Sequence, residues 1–262
     1  MIGYSLKENK DVNASTQMET ILYMQGHVSF PKPWIRFFMV ITITCLFTGC
    51  VSNTPFQVKD IAKTPVDMIT DIHLDRITRL LKQLTIKLYK INPFELTKAE
   101  ESGITRKQRV DQIFSCPATT PFKQLDGKKG AKAMLLGFDE TYRGDRIFAV
   151  MYGLYTMILA SYENQCEFFA LDQLDQQKLY NSARNIEILV WRLKTRCKET
   201  GKPLLITNET HGEIENLSFE RLFGKMIAIQ DMMALIVADQ SNRIITKVIH
   251  TAGMFFLPVG PS

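Results

Sequence analysis

Apolar residues recur at helical spacing through most of the chain from residue 65 onward. The segment Thr64-Pro65-Val66-Asp67 supplies an N-cap hydroxyl, a proline at the first helical position and an acid in the first turn, which together mark a helix start. Apolar side chains then follow at spacings of three, four or their multiples: Ile69, Ile72, Leu80, Leu81, Leu84 and Leu88. This pattern predicts an amphipathic helix of about 26 residues that ends at Asn92-Pro93.

The stretch from Ile147 to Tyr162 is uncharged and mostly apolar on every side, with Arg146 before it and Glu163 after it. A helix that is apolar all round is usually buried, so we predict that this segment is the central helix of a bundle. The competing interpretation is a membrane-embedded segment, but the run is shorter than the roughly 20 residues that a span needs.

Further helices are predicted on both sides of this central segment. A shorter helix follows the capping-box spacing of Thr97-Lys98-Ala99-Glu100. Asp175 caps the next one, whose apolar stripe runs from Leu179 to Leu193. Helical spacing returns over residues 218–238, and a last helix is expected from Arg243 to about Phe256.

Two segments between the helices have other patterns. Proline, glycine and polar residues dominate positions 117–130, which indicates a loop. Leu204 to Thr207 and Glu213 to Leu217 flank a polar turn and predict a small hairpin. The expected fold class is therefore mainly α: residues 65–262 form a single domain, a bundle of about six helices with one small β-hairpin near residues 204–217.

Composition narrows the classes of function. The 262-residue chain is 45% hydrophobic and 23% charged, with a net charge of +5. Its Lys and Arg residues are mixed with acids rather than gathered in a stripe, so nucleic acid is not expected as a partner. Glycine-rich phosphate or dinucleotide patterns and a GxSxG motif are missing, so neither a cofactor nor a catalytic residue is predicted.

The segment before the helices has the order of a secretory signal. Lys32 and Arg36 precede a short apolar run from Phe37 to Phe47, and small residues follow. The tetrapeptide Phe47-Thr48-Gly49-Cys50 resembles the lipobox of bacterial lipoproteins. That resemblance implies that residues 1–49 are a signal peptide and that Cys50 is acylated and becomes the first residue of the mature chain.

The resemblance also implies a place in the cell. Residues 1–23 precede the charged region, and Met24 is an alternative start of translation. Residues 50–64 lack a sustained period and are expected to form a tether between the lipid and the helical domain. Val51 stands where an Asp would retain many lipoproteins in the inner membrane, so the outer membrane, facing the periplasm, is implied. The alternatives are an ordinary cleaved signal or a buried helix that ends in Gly-Cys.

Cys116, Cys166 and Cys197 would remain in an oxidising compartment, where disulfides form. If the central helix and the helix capped by Asp175 pack antiparallel, Cys166 lies about 28 Å along the helix from Cys197. Bridged cysteines have Cα atoms within about 7 Å of each other, so any bridge is expected to involve Cys116. The alternative is that all three are small buried hydrophobic residues.

Polar residues on two predicted helices are candidates for a binding pocket or a buried hydrogen-bond network, because buried polar groups are costly unless they are satisfied. These residues are Arg143, Asp145, Arg146, Asn181, Arg184, Asn185 and Glu187. The alternative interpretation is an ordinary helix surface.

A metal site is a weaker candidate. His211, Glu213 and Glu215 alternate at strand spacing, so they could point the same way and offer nitrogen and oxygen ligands. Hairpins commonly turn such residues toward solvent, and no second histidine is placed nearby by the sequence. We therefore predict no metal.

These observations favour a lipid-anchored envelope protein that acts as a binding or scaffold subunit, with the membrane held through Cys50 and an envelope protein as its partner. One alternative is a carrier of lipids or other amphiphiles, which requires a sizeable apolar cavity. Another is a hydrolase of an envelope polymer, which requires convergent titratable residues in a cleft, with Asp145, Arg184 and Glu187 as its candidates.

Overall fold

A computed structural model describes residues 63–99, 103–197, 200–207, 217–242, 244–246 and 255–260. The α-helices in these ranges are α1 Pro65–Ile91, α2 Pro93–Leu96, α3 Arg106–Ile113, α4 Gly130–Gly137, α5 Arg146–Ser161, α6 Gln176–Thr195 and α7 Ser218–Ser241. A 3₁₀ turn covers Lys123–Leu125. The predicted mainly α fold is confirmed, with seven α-helices in the described ranges in place of about six.

Helix α1 begins and ends where the sequence predicts. The Thr64 hydroxyl accepts a hydrogen bond from the Asp67 backbone N–H at 3.2 Å, and the Asp67 carboxylate accepts one from the Thr64 N–H at 2.6 Å. This reciprocal capping box satisfies two backbone donors that would otherwise have no partner at the helix start. The face from Leu74 to Leu88 is buried against the rest of the bundle.

Helix α5 is the centre of the core, as predicted. All its residues except Ala160 are buried, and it contacts α1, α3, α4 and α6. Its aromatic side chains pack against the loop before α4: the Phe122 ring meets those of Phe148 and Tyr152 edge to face, at centroid distances of 4.9 and 5.0 Å. The start of α5 and this loop therefore form one packed unit.

A glycine sets the close packing of α4 on α5. A Cβ added at Gly153 would lie 2.6 Å from the Met134 backbone nitrogen and 2.7 Å from the Gly130 carbonyl oxygen. Backbone atoms cannot give way as a flexible side chain does, so the two helices would have to separate.

We expect Gly153→Ala to lower the free energy of unfolding by about 1–3 kcal/mol or more, because it overpacks this helix contact. The matched control is Gly224→Ala on α7, where an added Cβ meets no described atom within 4 Å. There the substitution should raise the free energy of unfolding by about 0.5–1 kcal/mol through reduced backbone freedom. Urea denaturation measures both, and two changes of the same sign would contradict this packing.

The predicted second helix was wrong in its start. Helix α3 begins at Arg106, where Thr105 and Gln108 form a capping box. Thr97 lies instead at the C-terminal end of α2, so the similar spacing at Thr97-Lys98-Ala99-Glu100 does not start a helix. Both sites carry the Ser/Thr-x-x-Glu/Gln pattern, and the pattern alone does not distinguish them.

The predicted hairpin is not supported. Residues 204–207 do not form a strand, and the isolated bridge at this corner joins Cys197 to Pro203. The backbone at Ile206 pairs instead with the Asn92 side chain, which donates to the Ile206 carbonyl at 2.8 Å and accepts from its N–H at 2.9 Å. Positions 208–216, with the rest of the predicted turn and strand, lie outside the described residues.

The predicted last helix is also wrong at both of its described ends. Residues 244–246 and 255–260 have no helical structure, and residues 247–254 lie outside the described part. The backbone polar groups near Leu257 are satisfied by side chains of α6 rather than by helical hydrogen bonds. Within the described residues, none of the helices has the length and apolar character to cross a membrane.

Candidate functional site

A cleft of about 490 Å³ opens between α3, the loop that follows it and the first turn of α5. That volume lies in the range of about 300–1,000 Å³ typical of small-molecule sites. The side chains that define its character are Arg109, Gln112, Phe122, Lys123, Gln124 and Phe148. Because Arg109 is its most buried cation, this is the Arg109 cleft.

The loop that walls the cleft is fastened at two points. A disulfide joins Cys116 in the loop to Cys166 beyond the end of α5, with a Cα–Cα distance of 5.9 Å. Further along, the Tyr152 hydroxyl donates to the Thr120 carbonyl at 3.0 Å. Cys116 is the predicted bridge member, and Cys197 is a free, exposed cysteine. The cleft wall is therefore held to α5 by a covalent bond and by packing.

Arg109 forms the deep side of the cleft and is only 3% exposed. Its guanidinium carbon lies 4.2 Å from the Phe148 ring centroid, a cation–π contact. The Nη1 group donates to the Gln112 side-chain oxygen at 2.9 Å, and Nη2 donates to that of Gln124 at 3.4 Å. The third nitrogen, Nε, has no hydrogen-bond partner in the described structure.

Asp145 lies behind Arg109, fully buried. Its Oδ2 atom lies 3.5 Å from the Arg109 Nε and accepts a hydrogen bond from the Tyr89 hydroxyl at 2.7 Å. Its Oδ1 atom accepts from the Phe148 backbone N–H at 2.9 Å and so caps α5. Burial raises the pKa of Asp145 to about 6, against the opposing effect of these hydrogen bonds and of the arginine. Burial also raises the pKa of Tyr89, with the Asp145 charge adding to the effect.

Arg146 ties the start of α5 to the end of α4. Its backbone N–H donates to the buried Glu95 carboxylate at 2.9 Å. Its guanidinium donates to the carbonyls of Gly137 at 2.8 Å, Asp139 at 2.6 Å, Glu140 at 3.2 Å and Tyr142 at 2.9 Å. A cation there satisfies carbonyls that have no partner within α4. Arg146 is thus a structural residue beside the cleft.

The other predicted polar residues lie elsewhere. Asn185 on α6 donates to the Leu257 carbonyl at 2.9 Å and accepts from the Leu257 N–H at 2.6 Å. Asn181, one turn earlier, donates to the Pro258 carbonyl at 2.9 Å. The two asparagines therefore hold the segment 255–260 against α6.

Arg184 and Glu187 form a third group. The Arg184 Nη2 atom lies 2.6 Å from the Asp231 carboxylate and 3.2 Å from that of Glu187, which links α6 to α7. Arg143 is exposed. The other six predicted residues are therefore divided among three places: Asp145 and Arg146 near the cleft, the two asparagines under the C-terminal segment, and Arg184 with Glu187 between α6 and α7.

Sequence reasoning missed the centre of the cleft and a second buried network. Arg109 is one of three cations on the short helix α3, with Arg106 and Lys107, and no local signal distinguishes it from them or pairs it with Asp145. Gln230 is fully buried, accepts from the Tyr162 hydroxyl at 2.7 Å and donates to Ser161 and Ser182. The signal for that network was a glutamine on the apolar face of α7.

The chemical character of the cleft follows from its lining. The described residues that line it include two cations, Arg109 and Lys123, together with amide, hydroxyl and aromatic side chains, and no carboxylate. Asp145 contacts Arg109 but is fully buried and is not among these lining residues. This arrangement suits the recognition of a ligand by charge and hydrogen bonding.

Within the described residues, no group of three His, Cys, Asp or Glu side chains could hold a metal ion. The residues considered above as metal ligands, His211, Glu213 and Glu215, lie outside the described residues. The signal segment and Cys50 also lie outside them. Comparisons of the chain with models of known protein families, with curated proteins and with solved structures found no match.

Proposed function

We propose that this chain is a lipid-anchored protein of the bacterial cell envelope that acts as a binding or scaffold subunit on the periplasmic side. The observation that carries the proposal is the order of residues before the domain. Lys32 and Arg36, the apolar run from Phe37 to Phe47 and the closing Gly49-Cys50 follow one another as in a lipoprotein signal.

The disulfide supports export. Cys116 and Cys166 are exposed, and they are joined in the structure. Thiols in such positions stay reduced in the cytosol of most bacteria, whereas disulfides persist in the periplasm. The two cysteines lie in the folded domain, so the disulfide supports export independently of the signal segment.

The Arg109 cleft supports a binding role over the two alternatives. An amphiphile carrier needs an enclosed apolar cavity, whereas α5 is surrounded by side chains in the described structure and the cleft is open and partly polar. A hydrolase needs titratable groups that converge on the substrate. Asp145 is buried beside Arg109, while Arg184 pairs with Glu187 and with Asp231.

Acylation would place the domain at a membrane surface, since each buried CH₂ contributes about 0.8 kcal/mol and more than one acyl chain gives a stable attachment. Val51, rather than Asp, follows the cysteine, which favours the outer membrane. The partner proposed for the scaffold role is another envelope protein that the tether allows the domain to reach.

We expect Cys50→Ala to leave the uncleaved precursor and to abolish labelling of the protein by radioactive palmitate. The matched control is Cys45→Ala, which removes a thiol five positions earlier in the same apolar segment and should be processed and labelled like the wild type. Pulse labelling followed by membrane fractionation measures both. Normal maturation and labelling of Cys50→Ala would exclude the lipoprotein assignment.

A further inference from the structure

We infer that the Arg109 cleft binds an oxyanion group, a carboxylate or a phosphate, carried by a ligand with a flat apolar part. This deepens the binding role proposed above and rests on it for the cellular source of the ligand. Three features support this inference: the charge of the cleft, the neutral partners of the Arg109 terminal nitrogens and the aromatic walls.

The charges at the cleft favour an anion. Arg109 and Lys123 line it, and the described lining has no acid. Burying a guanidinium is costly unless anions and hydrogen-bond acceptors surround it. Asp145 approaches one edge of Arg109 at 3.5 Å, but its Oδ2 already accepts from Tyr89 and its Oδ1 caps α5. The Nη1 and Nη2 groups of Arg109 thus bond to neutral groups.

Those neutral groups are two glutamines. The side-chain oxygens of Gln112 and Gln124 accept from Nη1 and Nη2 of Arg109 at 2.9 and 3.4 Å. These two terminal nitrogens are among those with which a guanidinium binds the two oxygens of a carboxylate or phosphate. The bonds to the glutamines are charged at the donor only, whereas a carboxylate or phosphate also brings a charged acceptor and pairs bidentately with a guanidinium. An oxyanion is therefore expected to displace the glutamine oxygens.

The aromatic walls of the cleft indicate that the ligand also has an apolar part. Phe148 already stacks under the guanidinium of Arg109, and Phe122 meets the Phe148 ring edge to face at 4.9 Å. A flat group next to the anion would contact these rings while its charge faces Arg109. The volume of about 490 Å³ accommodates a small organic molecule rather than an ion alone.

The test uses benzoate and its neutral analogue benzamide as probes of the protein extracted from membranes in detergent. The two differ in charge and hardly in shape. In ligand-observed NMR titrations, we expect benzoate to bind at least about tenfold more tightly than benzamide. Inorganic phosphate in competition distinguishes the two oxyanions: displacement of benzoate assigns the site to both, and no displacement assigns it to carboxylates. Equal binding of the two probes, or saturable binding of neither, would overturn the inference.

Gln112→Glu tests the position of the site. It keeps the acceptor for Arg109 but supplies an internal carboxylate, so benzoate affinity should fall by about tenfold or more. The matched control is Gln108→Glu on the same helix, which makes the same change outside the cleft at a capping position where Glu is also accepted. Its benzoate affinity should stay within about twofold of the wild type.

Lys123→Gln, an exchange at an exposed position of the cleft, gives a second variant that does not disturb the buried ion pair. It should lower the affinity for benzoate severalfold and leave the affinity for benzamide unchanged. If neither cleft variant changes the affinity for benzoate, benzoate binds outside the cleft, and the inference is overturned. A normally acylated protein without benzoate binding would overturn the cleft inference alone, and a chain that binds benzoate but is never acylated would overturn the proposed anchoring alone.

Discussion

Asp145→Ala is expected to lower the free energy of unfolding by about 3–5 kcal/mol, the range seen when one partner of a buried ion pair is removed. The substitution leaves Arg109 buried without its anion. It also removes the acceptor for the Tyr89 hydroxyl and the cap of the Phe148 N–H. Denaturation with urea, followed by circular dichroism, measures the loss.

The matched control is Asp175→Ala. Asp175 caps α6 through the Gln177 and Lys178 N–H groups but is only half-buried, and the described structure gives it no ion pair. Asp175→Ala should lower the free energy of unfolding by only about 0.5–2 kcal/mol, the usual effect of removing an N-cap side chain. Equal losses for the two alanine variants would contradict a structural role for the Asp145–Arg109 pair.

The pH dependence of Asp145→Asn separates the charge of this residue from its hydrogen bonds. Burial raises the pKa of Asp145 from 3.8 to about 6. Between these two pH values, the folded protein therefore holds a proton on Asp145 that the unfolded chain has lost. The free energy of unfolding of the wild type, relative to Asp145→Asn, therefore falls as the pH rises from about 4 to about 6. A difference that rises or stays constant over that window would contradict the assigned environment.

Loss of the Cys116–Cys166 bond is expected to lower the free energy of unfolding by an amount similar to that for Asp145→Ala. The bond closes a loop with a sequence separation of 50 residues, for which the chain-entropy model gives about 4 kcal/mol. The double substitution Cys116→Ser and Cys166→Ser should lower the free energy of unfolding by about that amount under non-reducing conditions. It also frees the loop that walls the cleft, so benzoate affinity should fall with it.

Cys197→Ser is the control for this prediction, because Cys197 is exposed and free. It should change neither the stability nor the benzoate affinity. A double variant as stable as the wild type, or a wild-type protein whose stability does not respond to reductant, would contradict the disulfide.

The long helices could be predicted because their patterns are local. In α1 the capping residues Thr64 and Asp67 and the apolar repeat agree with each other, and in α5 the unbroken apolar run leaves burial as the only stable outcome. Helix α4 was missed because Gly130 and Gly137 bound a segment of eight residues, and glycine at that density is more typical of loops. Its helical state depends on packing against α5 at Gly153, which no local pattern encodes.

The candidate site was predicted only in part, for a related reason. Asp145 and Arg146 stood out as charges at the start of an apolar helix, and both are buried. Their partners Tyr89 and Glu95 lie 56 and 51 residues away in the chain, so the pairing is set by the tertiary fold. Asn181 and Asn185 shared the polar face of α6 but bind the C-terminal segment, because that segment uses their amides in place of helical hydrogen bonds.

The central claim is attachment to a membrane through Cys50, and mass spectrometry of the N-terminal peptide of the membrane-extracted protein tests it most directly. The account predicts a mature chain whose first residue is Cys50, carrying a thioether-linked diacylglyceryl group. A chain that begins at any other residue, or a Cys50 without acyl groups, would contradict it.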